Sequence, residues 1–460
     1  MESAPITAHD LARHAGQGPR YTSYPPATAF APGFGADQAQ AALARLGASR
    51  APISLYCHIP FCSTLCWYCA CNVKVTRNRD RGRAYVDRLI AELTLVSQAL
   101  GGSQPVVEIA LGGGSPNFLE PVQHSRLIEA VVAAFDLRDD AALGIELDPR
   151  DTSPEQVDNL AALGFNRLSV GVQDFDQEVQ DAIHRQQSVD QTRELIAHAR
   201  RRGFTSVNVD LVYGLPGQTQ ETLLTTLAAV IEMAPQQVAI FGYAHLPQRF
   251  RHQKLVERRH PVPGLDRRAE LLLAAQEAFA AAGYVRVGID HFAHPDAPLA
   301  RAARDGTLQR NFQGYCVRRA DDLIGCGASA ISAAAGAYWQ NAPGPDAWAQ
   351  AVAGGRLPVV RGIELSRDDI IRRDVITQLM CWAELDFAAI EGRHDIRFED
   401  YFGAELDRLD GDDYADLVEL DRRGRRLGTT RLGFDLVRNV CMVFDSHLTE
   451  VGRARFSPTL

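Results

Sequence analysis

The sequence predicts an α/β protein: a partial (β/α)6 barrel with an N-terminal arm ahead of it and a mainly helical C-terminal domain behind it. Three observations carry this expectation. From about residue 52 to 247, short segments rich in Val, Ile and Leu alternate with longer amphipathic stretches, the pattern of strands alternating with helices. Several of the short segments end in a polar or glycine-rich tail. From about Gly362 onward the pattern turns helical and acidic.

The strand expectations are 52–60, 106–111, 143–148, 167–172, 206–213 and 237–244, and the helices between them 81–100, 125–135, 153–163, 176–201 and 219–233. The strands read as near-continuous apolar runs, which implies a parallel sheet covered on both faces. The tails are Cys62 onward, Gly112-Gly113-Gly114-Ser115-Pro116, Glu146-Leu147-Asp148-Pro149, Gln173-Asp174, Asp210 with Gly214-Leu215-Pro216, and Tyr243-Ala244-His245. In a parallel barrel the carboxyl ends of the strands carry the active site, so these residues converge on one mouth. Residues 1–51 form the arm, whose closely spaced prolines around Gly18-Pro19-Arg20-Tyr21-Thr22-Ser23-Tyr24-Pro25-Pro26 argue for extended chain there. The catalytic domain with a barrel extension spans 52–360, and the C-terminal domain 361–460, where Arg422-Arg423-Gly424-Arg425-Arg426 resembles the wing of a winged-helix module.

The 460 residues include 48 basic and 57 acidic side chains, a formal net charge of −9, with 46% hydrophobic and 23% charged residues. This is ordinary globular composition and excludes a collagenous, disordered or disulfide-scaffold chain. No run reaches the roughly 18 apolar residues of a transmembrane helix, and residues 1–30 lack the basic start and apolar middle of a signal peptide. A cytoplasmic monomer without a membrane span is expected, and its negative charge gives no general attraction to nucleic acid.

The cysteines depart from this ordinary picture. Five of nine, Cys57, Cys62, Cys66, Cys69 and Cys71, fall within fifteen residues. In a cytosolic chain such clustering favours metal or redox chemistry over disulfides. Cys62, Cys66 and Cys69 stand at C-x3-C-x2-C in a loop after the first strand. Three thiolates would hold an iron–sulfur cubane with one iron left open. Zinc competes, with Cys71 or Cys57 as a fourth ligand, but structural zinc sites usually pair two knuckles and the chain has no second one.

These residues resemble the radical S-adenosylmethionine (SAM) superfamily. The resemblance narrows through Arg20-Tyr21-Thr22-Ser23-Tyr24-Pro25, Cys69-Ala70-Cys71-Asn72, Gly171-Val172-Gln173-Asp174-Phe175, Asp210-Leu211-Val212-Tyr213-Gly214-Leu215-Pro216, Tyr243-Ala244-His245-Leu246-Pro247, Arg310-Asn311-Phe312-Gln313-Gly314-Tyr315 and Arg373-Asp374. Together these blocks are similar to the oxygen-independent coproporphyrinogen III oxidases. That resemblance implies anaerobic conversion of two propionates of coproporphyrinogen III to vinyl groups, giving protoporphyrinogen IX for heme biosynthesis, by a 5′-deoxyadenosyl radical made from SAM. It implies a [4Fe-4S] cluster on Cys62, Cys66 and Cys69, two SAM molecules in one site, and an electron donor of unidentified nature. Tyr56, Gly113, Glu146 and Ile331 would contact the cluster-bound SAM. Tyr68, Gly114, Ser115, Gln173, Arg185, Asp210 and Ala244 would contact the second. Arg20, Tyr21 and Tyr24 of the arm would close over the substrate's carboxylates, whereas Phe241 reads as a core aromatic.

Departures from the family's pattern are Ala70 for glycine, Tyr68 for phenylalanine, Ser115 for threonine and Cys57 for an apolar residue. Cys71, although in the pattern, is not expected to be a ligand. Two alternatives remain at this level: a heme-trafficking relative without oxidase activity, and a zinc-stabilised binding module. The first generally lacks the Arg20–Pro25 segment and the Cys71-Asn72 ending, and both are present here.

Overall fold

The computed structural model describes residues 6–317, 319–449 and 456–460. Six parallel strands, β1 (Ile53–Ile59), β2 (Pro105–Gly113), β3 (Asp136–Leu147), β4 (Arg167–Gln173), β5 (Ser206–Tyr213) and β6 (Gln237–Gly242), lie side by side in chain order. Beyond β6 the sheet continues antiparallel through β8 (His291–Ala293) to β7 (Val285–Val287). On the other side β1 pairs in parallel with β9 (Asp322–Cys326), followed antiparallel by β10 (Ile331–Ala334), β11 (Ala337–Asn341) and β12 (Val359–Glu364). The two ends of this twelve-stranded sheet do not pair with each other, so the barrel is open.

The six parallel strands alternate instead of being apolar throughout, and this corrects the sequence expectation. On one face Leu55, Ile109, Ile145, Val170, Val209 and Ile240 are fully buried under the helices. On the other, Glu108, Glu146, Arg167, Ser169, Asn208 and Asp210 face a central cavity. Side chains point to opposite faces with a period of two, so one strand can serve both surfaces. Alternation normally marks a face open to solvent; here the polar face is curled inward. Each buried aliphatic contributes roughly 1.5–3 kcal/mol, so the outer layer provides most of the sheet's stability.

The helices that cover this layer are α3 (Asp80–Ala99), α4 (Pro121–Ala134), α5 (Pro154–Ala162), α6 (Gln177–Ile183), α7 (Val189–Arg201) and α8 (Gln220–Glu232). The single helix expected over 176–201 is thus two. His184 takes a left-handed conformation (φ 56°) that ends α6, and the Ser188 hydroxyl accepts the Gln191 N–H to start α7. Arg185 lies in the break and is thereby free to turn toward the strand ends.

The arm is not extended throughout. Residues Ala8–His14 (α1) and Ala36–Ser49 (α2) are helical, the first packed on the helix Leu265–Ala281 (α9) and the second on α3. The irregular chain between them is gripped by arginines. Arg438 donates to the carbonyls of Gly18 and Pro19, and Arg310 donates to that of Arg20. The domain boundary expected at 360/361 falls inside β12, and the next helix begins at Arg367. The arginine-rich segment at 422–425 is the turn of a hairpin between Val418–Asp421 and Arg426–Thr429.

Two polar side chains on α3 hold the barrel's first strand to its extension. Tyr85 donates to His58 O at 2.8 Å and accepts from Ala328 N at 2.8 Å. Glu92 accepts from Gly327 N (2.7 Å), Trp348 Nε1 (2.8 Å) and Asn341 Nδ2 (2.6 Å). Burial pushes the Glu92 carboxyl up to about 7 although all three donors favour its ionised form. Glu92→Gln is expected to destabilise the protein by about 1–3 kcal/mol, because the amide cannot accept from both sides and leaves a buried donor unsatisfied. Urea denaturation of the two proteins measures this.

Candidate active site

A cavity of about 510 Å³ opens at the carboxyl ends of the parallel strands and runs inward between them, a size typical of small-molecule sites. Twelve of the fourteen residues singled out from sequence line it: Cys62, Cys66, Tyr68, Cys69, Gly113, Gly114, Ser115, Glu146, Gln173, Arg185, Asp210 and Ala244. Tyr56 and Ile331 do not line it. Tyr56 sits in β1 between Ala110 and Gly325, its hydroxyl 3.1 Å from His58 Nδ1. The backbone of Ile331 lies against the same Gly325. Both therefore stand beside the cavity, on its β1 side.

The cysteine loop is anchored from three directions. A short parallel pairing of Phe61–Cys62 with Lys74–Val75 closes its base. At the end of α6, Ile183 O accepts from Trp67 N at 2.9 Å, and the His184 ring stacks on Trp67 at 4.9 Å. The turn Arg251–Arg258 contributes Gln253, which donates to Tyr68 O at 2.8 Å, and His252, whose Nε2 lies 2.7 Å from Cys69 O. Cys57 is fully buried in β1, and Cys71 is exposed, its N–H 3.4 Å from Cys69 Sγ.

Charge is concentrated around Cys66. Asp148 binds Arg150 (Oδ2 to Nη2, 2.6 Å) and Arg185 (Oδ2 to Nη1, 2.9 Å). The same two guanidiniums lie 3.3 and 3.5 Å from Cys66 Sγ. Burial opposes ionisation of Asp148, but Arg185 and Arg150 outweigh it and hold the carboxyl at about 2. Two of the thiols shift in opposite directions. Hydrogen bonding from the Cys71 side chain brings Cys69 down to about 7, while burial and then the neighbouring Cys69 and Cys66 push Cys62 up to about 12.

This donor set fits a cationic polynuclear group. Thiolates crowded together repel one another, and a bound metal centre relieves that repulsion. Among the described residues no three His, Cys, Asp or Glu side chains are gathered tightly enough for one metal ion. Arg185 Nε is also buried without a hydrogen-bond partner among the described residues, a donor awaiting an acceptor.

The opposite wall is acidic. Burial, then repulsion from Asp210, pushes Glu146 up to about 7, against the Gly113 N–H that donates to it at 3.1 Å. Burial likewise raises Asp210, which accepts from Ser169 Oγ (2.8 Å) and Asn208 Nδ2 (2.7 Å). Two buried carboxylates facing one cavity suit a cationic ligand with amino or hydroxyl donors. Gly113 (φ 114°) and Gly114 keep the wall open: a Cβ on Gly114 would stand 2.7 Å from Phe61 O, and one on Gly113 would meet the His58 ring.

The family model described as the Radical SAM superfamily matches residues 56–230. An oxygen-independent coproporphyrinogen III oxidase of Pseudomonas aeruginosa is 42% identical over 445 residues, covering 96% of this chain and 95% of the relative. That of Escherichia coli is 42% identical over 436 residues, with 95% and 94% covered. The chain belongs to the family of oxygen-independent coproporphyrinogen III oxidases. A solved structure of coproporphyrinogen III oxidase from Escherichia coli, described as a radical SAM enzyme, superposes with a TM-score of 0.89 at 41% identity, over 93% of this chain and 98% of that one.

In this coproporphyrinogen oxidase family member, some expectations change. Tyr21 and Tyr24 do not line the cavity; their hydroxyls bond Asp445 (2.9 Å) and Ser446 (2.9 Å) instead. Of the arm's three residues only Arg20 reaches the cavity, and Phe241, read as a core aromatic, lines it. Arg185 pairs with the protein's own Asp148. Sequence reasoning gave no role to Asp148, Arg150 or His291, all of which line the cavity. Asp148 and Arg150 were visible as charged residues at a strand's carboxyl end; His291, on an antiparallel strand, carried no such signal.

Proposed function

We propose that this chain converts two propionate side chains of coproporphyrinogen III to vinyl groups without oxygen, releasing two CO2 and yielding protoporphyrinogen IX for heme biosynthesis. What carries the reading is the opening of three anchored thiols into a cavity that also holds two buried carboxylates and a guanidinium pair, in a chain alike over almost its whole length to enzymes of that name. The cluster and SAM, when bound, supply the one-electron chemistry that removes a hydrogen atom from the propionate, which no amino-acid acid or base can do.

The chain's own residues have the task of holding and shielding. We read Cys62, Cys66 and Cys69 as the cluster ligands. Arg150 and Arg185 set positive charge 3.3 and 3.5 Å from Cys66 Sγ. Tyr56, Gly113, Glu146 and Ile331 are read as contacts of the cluster-bound SAM. Tyr68, Gly114, Ser115, Gln173, Arg185, Asp210 and Ala244 are read as contacts of the second. No helix among the described residues is long and apolar enough to cross a membrane. We read the protein as a cytoplasmic monomer that receives electrons from a separate donor.

Anaerobic protein that has been reduced and incubated with SAM and coproporphyrinogen III should yield 5′-deoxyadenosine and protoporphyrinogen IX together. Cys66→Ala should abolish both products, while Cys71→Ala should keep about four irons per chain. Deoxyadenosine without decarboxylation would favour the heme-trafficking reading, and stoichiometric zinc without iron would overturn the cluster assignment. Glu146 adds a pH dependence. Its carboxyl, raised to about 7, is neutral below that pH and ionised above it. SAM affinity should therefore rise as pH increases through about 7, and Glu146→Gln should flatten the rise; equilibrium binding across that range measures it.

A further inference from the structure

His291 is held by its neighbour: its Nδ1 lies 2.6 Å from Asp290 Oδ1. Asp290 stays ionised despite its burial, chiefly because of Arg310, whose Nη2 is 3.5 Å from Asp290 Oδ2. An ionised carboxylate requires the Nδ1 atom to carry a proton and donate it. That hydrogen bond fixes the imidazole plane, and the Phe241 ring (6.0 Å, edge-on) and the Tyr315 ring (5.4 Å, edge-on) confine it from the sides. The side chain is 7% exposed, and the residue lines the cavity. Among the described residues no hydrogen bond is made to Nε2.

Arg20 enters the same part of the cavity from the arm. It donates to Gly242 O at 2.8 Å, immediately after Phe241, lines the same cavity as His291 and interacts electrostatically with Asp290. Arg20, Arg310, Arg268 and Arg438 gather on this side of the cavity and outnumber Asp290 and Asp210, the carboxylates near His291. The acidic wall at Glu146 and Asp210 is the place for a cation such as SAM. The corner at Arg20 and His291 is the place for an anion.

We propose that His291, positioned by Asp290, together with Arg20 forms the subsite that binds one propionate carboxylate of the substrate, with the Phe241 ring against the adjoining pyrrole. The inference rests on the functional reading above, which supplies a tetra-anionic substrate. With Nδ1 committed to Asp290, Nε2 can donate to a carboxylate only when the ring is doubly protonated. Asp290 and Tyr315 stand against the ring and Asp210 from β5 interacts with it electrostatically, while Arg310 and Arg20 act on Asp290 behind it.

The test is direct binding, read by fluorescence, of coproporphyrin III, the oxidised tetracarboxylate, to the anaerobic holoprotein. His291→Gln should weaken binding about tenfold or more, the effect of losing a charge-assisted hydrogen bond. It should leave SAM binding unchanged. The wild type should bind the tetramethyl ester of the same porphyrin weakly, and His291→Gln should bind that ester equally weakly; this arm holds even if the variant folds poorly, since it compares two ligands on one protein. Unchanged porphyrin affinity in His291→Gln, loss of SAM instead of porphyrin, or equal wild-type affinity for acid and ester would each overturn the proposal. If the wild type cleaves SAM but binds neither porphyrin, the functional reading itself fails and takes this inference with it.

Discussion

Because side chains alternate along a strand, six parallel strands can bury Leu55, Ile109, Ile145, Val170, Val209 and Ile240 beneath helices while turning Glu108, Glu146, Arg167, Ser169, Asn208 and Asp210 into the barrel. The rest of the molecule depends on that division. Apolar burial on the outer face supplies stability, which frees the inner face to carry charges that would be intolerable in a packed core. The inner charges are then paired or aimed: Glu108 with Arg167 at 2.7 Å near the floor, Asp148 with Arg150 and Arg185 at the mouth.

The mouth is arranged by polarity. The guanidiniums of Arg150 and Arg185 surround one thiol, two carboxylates face the ligand space, and a cationic corner closes the side reached by the arm. Each feature is built by a different part of the chain. The break between α6 and α7 delivers Arg185, the turn after β3 delivers Asp148 and Arg150, and β8 delivers His291. A ligand with a cationic centre and a ligand with several carboxylates can therefore occupy one cavity without competing for the same groups.

The strands and the cysteine loop were legible because they depend on local pattern: apolar runs set β1 through β6 to within a few residues, except that β3 begins at Asp136, where charged residues hid its first half. The glycine run and the C-x3-C-x2-C spacing were equally local. The inward polar face was not legible: the strands read as near-continuous apolar runs, although Ser-Val-Asn-Val-Asp in β5 alternates, and only the curl of the sheet gives that polar side a cavity to face. The split at His184 was hidden because an αL residue other than glycine leaves no compositional mark. Tyr21, Tyr24, Arg310 and His291 were beyond local reasoning altogether, since their partners lie hundreds of residues away or across the sheet.

The central claim is that three thiolates leave one iron of the cluster open, and that SAM occupies it. The most direct measurement is electron-nuclear double resonance on the reduced protein with SAM carrying 15N at its amino group and 17O at its carboxylate. The account predicts hyperfine coupling of both labels to the cluster spin. A reduced cluster that shows neither coupling with SAM bound would contradict it.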